Sequence, residues 1–379
     1  MAKTRLVLLG GFLGAGKTTT IARLAHTYQQ RDQRVVIVTN DQASDLVDTH
    51  LLRSQGLHVA EVAGGCFCCR FDELISVIEK LGEAQAPDVI LAEPVGSCTD
   101  LVATVIQPLR QIYEDQFEVA PYGVLLKPKH GRRILANEPQ GGFSPKAAYL
   151  FEKQLEEADF IVINRIDELA PAEVRDLVAL VQQRYPDVPV VRMSARTGEG
   201  CDALLKTLDQ KGEFGLRVLE LDYDVYAEGE AELGWLNTRL TVTSEQPFSL
   251  DSLLVDIVQR IRTSLAEVPA ETAHLKTMGI GGGHHGVANL ISSDAEAELS
   301  LPSDCHTSSA EVIVNARVAV DPEILGNHVR AAVNDSARLI NAEVTLETAQ
   351  QFRPGRPEPT HRFAIETISM KNDGHADST

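Results

Sequence analysis

The sequence predicts an α/β protein: a P-loop NTPase with a mostly parallel sheet, followed by a smaller α+β C-terminal domain. Up to about residue 210, short apolar runs alternate with amphipathic helical stretches, as in a parallel sheet that helices cover on both faces. A glycine-rich phosphate-binding loop directly follows the first run, at residues 6–9. Beyond residue 234 the predicted order becomes β-α-β-β-α, which indicates a small domain with an antiparallel sheet.

The domain boundaries follow these changes of pattern. The P-loop domain covers residues 1–212, and a stretch rich in Glu, Asp and Gly is interpreted as a linker over residues 213–233. The α+β domain covers residues 234–349, and residues 350–379 are expected to be an extended or disordered tail. The predicted strands are residues 6–9, 35–39, 59–62, 89–92, 124–127, 160–164, 190–193, 235–243, 286–292 and 311–320. The predicted helices are residues 18–30, 71–84, 146–158, 172–184, 250–266 and 322–334.

The phosphate-binding loop, residues 11–18, matches the pattern GxxxxGK[ST] completely. Only glycines let the backbone approach a triphosphate closely enough for several N–H groups to converge on it. Lys17 would contact the β and γ phosphates, and the Thr18 hydroxyl would ligate Mg²⁺. The residues predicted to bind phosphate are Gly11, Gly14, Ala15, Gly16, Lys17, Thr18 and Thr19.

Two further motifs predict that the base is guanine. Residues 164–167, Asn-Arg-Ile-Asp, resemble the guanine-reading sequence NKxD. The carboxylate of Asp167 would accept hydrogen bonds from the N1–H and the exocyclic amine of guanine. Asn164 would brace the loop, and Arg165 replaces the usual lysine whose stem covers the base. Residues 194–196 resemble the SAK loop that offers backbone N–H groups to guanine O6, which assigns Ser194, Ala195 and Arg196 to the nucleotide site.

Carboxylates near the γ-phosphate are required for Mg²⁺ binding and hydrolysis. Glu93 ends a predicted strand within an ExxG pattern whose Gly96 N–H would sense the γ-phosphate. Asp41 ends the second strand. We therefore predict that Asp41 and Glu93 hold Mg²⁺ or position the attacking water, and that they act with Lys17 in catalysis.

Three cysteines, Cys66, Cys68 and Cys69, lie within four positions after a strand and before a helix. Thiolates bind Zn²⁺ and similar ions, and a following helix N-terminus favours the thiolate form. The alternative is a cluster of small buried residues. Cys98, two residues after Gly96, would make metal coordination depend on GTP if it supplied a fourth thiolate, although a single cysteine more often serves in packing.

Composition excludes some classes of protein. The net charge of −19 argues against a nucleic-acid partner, and no segment approaches the ~20 apolar residues of a membrane span. The cysteine spacing suits thiolate chemistry in a reducing compartment, so we expect a cytoplasmic protein. The basic residues Lys127, Lys129, Arg132 and Arg133 are interpreted as part of a solvated loop.

The ordered motifs at residues 10–19, 64–69, 93–96 and 164–167 resemble the CobW family of P-loop GTPases, relatives of HypB and UreG. The resemblance covers residues 4–210, and its CxCC element is the discriminating feature. It implies low intrinsic GTPase activity, a divalent metal at Cys66, Cys68 and Cys69, and delivery of that metal to client proteins. The sequences Asn-Asp-Gln at residues 40–42 and Glu-Pro-Val-Gly at residues 93–96 depart from the family pattern and indicate a divergent subgroup.

The sequence therefore predicts a GTP-dependent metallochaperone that hydrolyses GTP and delivers Zn²⁺, or Co²⁺ or Ni²⁺, to a client metalloprotein or cofactor-dependent enzyme. The alternative is a GTPase switch that gates assembly of a cofactor- or corrinoid-dependent enzyme without carrying metal. A nucleotide-dependent homodimer is one option. His284, His285, Cys305 and His306 offer a second metal site, but exposed loop histidines are the favoured interpretation.

Overall fold

The parallel sheet predicted for the first part of the chain is present in the computed structural model, which describes residues 3–43, 47–84, 86–136, 144–268 and 270–364. The main path of the sheet runs β3-β2-β4-β1-β6-β7-β8, and β5 pairs with β1. Every strand pair in it is parallel. The strands are β1 (Thr4–Gly11), β2 (Val35–Asp41), β3 (Val59–Ala63), β4 (Val89–Glu93), β5 (Phe117–Val119), β6 (Gly123–Leu126), β7 (Phe160–Ile163) and β8 (Val190–Arg192).

Helices connect these strands. They are α1 (Lys17–Gln29), α2 (Val47–Ser54), α3 (Phe71–Ala84), α4 (Gln107–Ile112), α5 (Pro128–Leu135), α6 (Pro145–Glu157), α7 (Pro171–Arg184), α8 (Cys201–Leu208) and α9 (Tyr223–Ala231). A π-helix, Val102–Ile106, leads directly into α4, and a 3₁₀ turn covers Ile166–Glu168. Because all the strands run in one direction, the loops after their carboxyl ends lie along one edge of the sheet, which is where parallel sheets bind ligands.

An antiparallel sheet forms the second part of the chain, with strand order β12-β11-β10-β13-β9-β14. Its elements are β9 (Gly234–Ser249), α10 (Leu250–Leu265), β10 (Thr272–Gly281), β11 (His284–Leu290), β12 (Glu298–Leu301), β13 (His306–Val318), α11 (Pro322–Leu339) and β14 (Ala342–Phe352). The apolar faces of α10 and α11 and the inner face of the sheet form one hydrophobic cluster. The predicted α/β fold class, with a smaller α+β second domain, is confirmed.

The chain divides into two units, and the division differs from the predicted boundaries. One unit comprises residues 1–42, 56–226 and 356–379, and the other comprises residues 43–55 and 227–355. Residues 43–55 group with the second unit because the Val47 N–H donates to Asn315 Oδ1 over 2.7 Å and Lys276 pairs with Asp48. The predicted linker, residues 213–233, contains helix α9, and the predicted tail begins inside β14.

The interpretation of residues 127–133 as a solvated loop was wrong. Pro128 begins helix α5, where a missing backbone N–H has no cost, and Lys127 and His130 are both buried. The Lys127 Nζ lies 3.4 Å from His130 Nε2. In the described part of the chain, no helix is both long and apolar enough to cross a membrane.

Candidate functional site

The phosphate-binding loop lies between β1 and α1. Gly16 has a φ of 90° at the start of α1, a left-handed conformation that favours glycine. A Cβ on Gly11 would lie 2.5 Å from the Leu125 carbonyl oxygen, so this position also excludes other side chains. Lys17 is buried and donates from Nζ to the Gly11 carbonyl over 2.9 Å. Its ammonium group therefore already lies over the loop that would enclose the phosphates.

Thr18 and Glu93, both predicted to hold Mg²⁺, are in direct contact. The Thr18 hydroxyl donates to Glu93 Oε1 over 2.9 Å, and both side chains are buried. Glu93 ends β4, whose neighbour β2 ends in the buried carboxylate of Asp41. A hydroxyl and two carboxylates are oxygen donors of the kind that Mg²⁺ prefers, so the donor set fits this ion.

Asn164 connects the three parts of the predicted nucleotide site. Its Nδ2 donates to the Ala15 carbonyl of the phosphate-binding loop over 2.8 Å. Its Oδ1 accepts from the Arg165 N–H over 2.8 Å and from the Ala195 N–H over 2.9 Å. One amide thus joins the phosphate-binding loop to both of the loops that were predicted to read guanine.

The carboxylate of Asp167 forms an ion pair with Arg196, with Arg196 Nη2 lying 2.5 Å from Asp167 Oδ2. Partial burial acts to raise the pKa of Asp167, but a hydrogen bond from Ser194 and the Arg196 guanidinium hold it below its ordinary value. A guanidinium presents adjacent N–H donors much as the N1–H and amine of guanine do. Arg165, which replaces the usual lysine of the NKxD sequence, has a φ of 63°. Its Nη2 forms an ion pair with Glu168 Oε1 over 2.6 Å.

The three cysteines of the CxCC motif converge on one point. Cys66 Sγ lies 2.9 Å from Cys68 Sγ and 3.2 Å from Cys69 Sγ, and Cys68 Sγ lies 3.7 Å from Cys69 Sγ. A backbone turn produces this arrangement, because the N–H groups of Cys69 and Arg70 both donate to the Cys66 carbonyl, over 3.0 and 2.9 Å. Cys66 and Cys68 are buried, and the three Sγ atoms all lie within 4.8 Å of one another, so the group could hold one metal ion.

Asn40, the residue before Asp41 in β2, holds the cysteine loop in place. Its Nδ2 donates to the carbonyls of Val62 and Gly65 over 2.9 and 2.7 Å, and its Oδ1 accepts from the Phe67 N–H over 2.9 Å. The sequence motif Asn-Asp at residues 40–41 therefore supplies a structural anchor for the thiols and a strand-end carboxylate from adjacent positions.

The thiols share protons unequally. Hydrogen bonds from Cys68, from Cys69 and from Cys98 lower the pKa of Cys66. The hydrogen bond with Cys66, together with burial, raises the pKa of Cys68 well above its ordinary value. The hydrogen bond with Cys66 also raises the pKa of Cys69, to about 11. The group therefore favours one thiolate surrounded by S–H donors. A metal that binds here must displace the remaining protons, so metal affinity falls as the pH is lowered.

The carboxyl-terminal segment, residues 356–364, crosses the cysteine loop, and we call it the C-terminal strap. The Glu358 N–H donates to Cys69 Sγ over 3.3 Å, and the Thr360 N–H donates to the Cys68 carbonyl over 2.9 Å. Farther along, Arg362 Nε donates to the buried Asp100 carboxylate over 2.7 Å. No motif or periodic pattern in the sequence indicates this part of the site, because the segment is extended and contains prolines. Residues 365–379 of the predicted tail lie outside the described residues.

We expect Arg362→Ala to make Cys69 react about tenfold faster with an alkylating reagent. The substitution removes a charge-assisted hydrogen bond, of the order of 1.5–3 kcal/mol, so the strap opens more often. The rate at Cys69 is measured by mass spectrometry relative to the half-buried Cys201 in the same chain. Arg356→Ala is the matched control because the Arg356–Asp224 pair in the same strap is exposed. An unchanged ratio in Arg362→Ala would show that the strap does not protect the thiols.

The histidines of the second unit do not form a comparable group. Among the residues that the structure describes, Cys66, Cys68 and Cys69 are the only set of three or more His, Cys, Asp or Glu side chains with converging ligand atoms. His284 is exposed at the start of β11, and His306 is exposed at the start of β13. The Cys305 thiol is buried and donates to the Gly281 carbonyl over 3.5 Å.

Comparison with known proteins identifies relatives of the first unit. The family described as "CobW/HypB/UreG, nucleotide-binding domain" matches residues 5–192. The zinc chaperone YeiR of Escherichia coli is 29% identical over 187 residues, which cover 48% of this chain and 53% of that protein. The zinc chaperone CobW of Pseudomonas aeruginosa is 28% identical over 213 residues, covering 47% of this chain and 54% of that protein. The chain thus spans about half the length of these curated relatives.

Among solved structures, the Zn(II)-bound YjiA GTPase from E. coli aligns with 88% of this chain and 99% of its own, at 15% identity and a TM-score of 0.36.

Proposed function

We propose, from the premise that this chain belongs to the CobW/HypB/UreG family through its nucleotide-binding domain, that it is a GTP-dependent metallochaperone. It binds and hydrolyses GTP in the first unit and delivers a divalent metal, Zn²⁺ in preference to Co²⁺ or Ni²⁺, to a client protein. The client is a metalloprotein or a cofactor-dependent enzyme in the same cytoplasmic compartment.

The observation that carries this proposal is the position of Asn40 and Asp41. Asn40 makes three hydrogen bonds to the cysteine loop, while the next residue ends β2 beside the strand that carries Glu93. A displacement of Asp41 at the end of β2 would therefore also move the neighbouring residue Asn40, and with it the cysteine loop that Asn40 holds. Nucleotide state and metal affinity can be coupled only if both sites bias the same structural element.

The residues of the nucleotide site have separate roles. Lys17 stabilises the charge on the β and γ phosphates, and Asp167 selects guanine. Thr18, Asp41 and Glu93 would hold Mg²⁺, which neutralises phosphate charge when bound. Asp41 and Glu93 also orient the attacking water. Arg196 must release Asp167 for the base to bind, so GTP binding changes the loop over residues 194–196.

The cysteine loop is the part of the protein that would bind the metal to be delivered. Cys66, Cys68 and Cys69 supply soft thiolate donors at distances that a small shift converts to a metal site. The turn that brings the thiols together is already closed by backbone hydrogen bonds, so little conformational entropy is lost when the ion binds.

Replacing Cys66, Cys68 and Cys69 together with serine is expected to abolish stoichiometric zinc binding. Serine keeps the size of the side chains but removes the thiolate ligands. Zinc content and affinity are measured by equilibrium dialysis and metal analysis, with GTP analogue and with GDP. Cys201→Ser and Cys305→Ser are the matched controls, because both cysteines lie outside the converging group. Unchanged zinc binding in the triple variant would favour the GTPase switch that gates enzyme assembly without carrying metal.

A further inference from the structure

We propose that Arg23 is a positioning residue for guanine recognition. It holds the loop over residues 194–196 so that a backbone N–H of this loop is directed at O6 of the base. The inference rests on the proposed function, because it concerns the same nucleotide site, and it names a residue that lies outside both guanine motifs. In this role Arg23 acts through the loop and does not touch the nucleotide.

Two hydrogen bonds join the side chain of Arg23 to this loop. Its Nε donates to the Ala195 carbonyl over 2.8 Å, and its Nη2 donates to the Arg196 carbonyl over 2.9 Å. A Cβ on Gly198 would lie 2.9 Å from Arg23 Nη1, so the backbone of the loop also lies close to the guanidinium group. A guanidinium holds its N–H donors in one rigid plane, and here two of them bind consecutive carbonyls.

The direction of a carbonyl fixes the direction of the N–H beside it. In a trans peptide, the C=O and the N–H of one plane point in opposite directions. Because the Ala195 carbonyl points to Arg23 on α1, the N–H of Arg196 in the same plane points away from that helix. The Ala195 N–H donates to Asn164 Oδ1 over 2.9 Å. Ala195 is thus held on both sides, and Arg23 sets the orientation of the next N–H along the loop.

The loop is also closed by hydrogen bonds of its own. The Gly198 N–H donates to the Ser194 carbonyl over 2.9 Å, and the Thr197 N–H donates to Ser194 Oγ over 3.1 Å. The Ser194 N–H donates in turn to the Glu199 carbonyl over 2.8 Å. These bonds fix the shape of the loop, whereas the bonds from Arg23 fix its position relative to α1.

Helix α1 begins with the residues proposed to bind the phosphates. Arg23 follows Lys17 by less than two helical turns, about 9 Å along the axis. The group proposed to bind the phosphates and the group that holds the base-reading loop therefore keep a fixed separation. Removal of the Arg23 side chain would leave the phosphate contacts in place and weaken the contact to O6.

The test compares the binding of nucleotides that differ from GDP at one position of the base. The nucleotide 6-thio-GDP keeps the N1–H and the amine of guanine but has sulfur, a weak acceptor, in place of O6. IDP keeps O6 but lacks the amine that Asp167 would bind. We expect the wild type to bind GDP about tenfold more tightly than 6-thio-GDP, and we expect this ratio to fall to about threefold or less in Arg23→Met. The ratio between GDP and IDP is expected to stay within about a factor of two of the wild-type value.

Methionine keeps an apolar stem like that of arginine and removes the donors. Arg23→Lys keeps the positive charge but lacks the planar fork, so we expect it to lose the preference for GDP over 6-thio-GDP as well. Arg31→Met is the matched control, because Arg31 is an exposed arginine just beyond the end of α1 whose ion pair is with Asp209. Its two ratios are expected to equal those of the wild type.

An unchanged ratio between GDP and 6-thio-GDP in a folded Arg23→Met, or an equal fall in both ratios, would overturn the role of Arg23. A wild-type ratio in Arg23→Lys would also overturn it, since the charge alone would then suffice. Equal binding of GDP and 6-thio-GDP by the wild type would have the same consequence, and that measurement requires no variant to fold. Wild-type protein that binds ADP as tightly as GDP would instead contradict the guanine specificity on which the proposed function depends.

Discussion

Lys17→Ala is expected to reduce the rate of GTP hydrolysis by about 10²–10³-fold, the effect of removing one preorganised donor from a developing charge. The ammonium group of Lys17 is buried over the phosphate-binding loop and lies 2.9 Å from the Gly11 carbonyl, so it has little distance to travel to the phosphates. Loss of a desolvated charge–charge contact also weakens GTP binding. The rate of phosphate release and the affinity for a GTP analogue are the measurements.

The control for Lys17 is Lys206→Ala. Lys206 is an exposed lysine on α8 of the same unit, and its removal changes the net charge by the same amount. We expect its hydrolysis rate to stay within a factor of two of the wild type. Hydrolysis by Lys17→Ala within tenfold of the wild-type rate would mean that the loop over residues 11–18 does not hold the triphosphate.

Asp167→Asn is expected to weaken GDP binding at least about 100-fold and to reverse the preference between GDP and its xanthine analogue. In the proposed site the carboxylate would accept two hydrogen bonds from guanine, and charge-assisted bonds contribute about 1.5 kcal/mol or more each. An asparagine places an N–H donor against one of the guanine donors. Xanthine has a carbonyl at that position, so it gains a hydrogen bond in the variant. Competition between the two nucleotides for a fluorescent analogue measures the change.

Asp176→Asn, an exposed position on α7, controls for the change in charge. The variant also loses the ion pair between Arg196 and Asp167, and this loss acts to strengthen nucleotide binding, because Arg196 no longer competes with the base for residue 167. The pair is partly exposed, and such ion pairs contribute about 0–1 kcal/mol, so this gain is smaller than the loss. A variant that still preferred GDP over the xanthine nucleotide would rule out Asp167 as the group that reads the base.

Local sequence patterns were sufficient to predict the parallel sheet. Strand β2 is buried at every position, and its sequence is correspondingly a continuous apolar run that ends in polar residues. The glycines of residues 11–16 indicate the phosphate-binding loop because their positive backbone φ angles favour glycine. These are short-range requirements, so a few adjacent residues contain all the information.

Strands β10 and β14 were not predicted, for two different reasons. Strand β10 contains glycine because α10 packs closely against it: a Cβ on Gly279 would lie 2.6 Å from Leu250 Cδ1. A sequence with such glycines is more typical of a loop than of a strand, so the pattern did not indicate β10. Strand β14 is a largely exposed edge strand with no apolar alternation, and its pairing with β9 defines it. Both strands depend on partners that are distant in sequence.

The sequence by itself determined the fold class, the nucleotide motifs and the three thiols, because each is encoded by adjacent residues with a demanding local geometry. Tertiary structure alone decided that Asn40 anchors the cysteine loop and that the C-terminal strap contacts Cys69. Glu358 and Cys69 are 289 residues apart, and no periodicity or spacing connects them. Contacts of this kind arise only when separate loops reach the same edge of one sheet, and the path of each loop depends on everything packed beneath it.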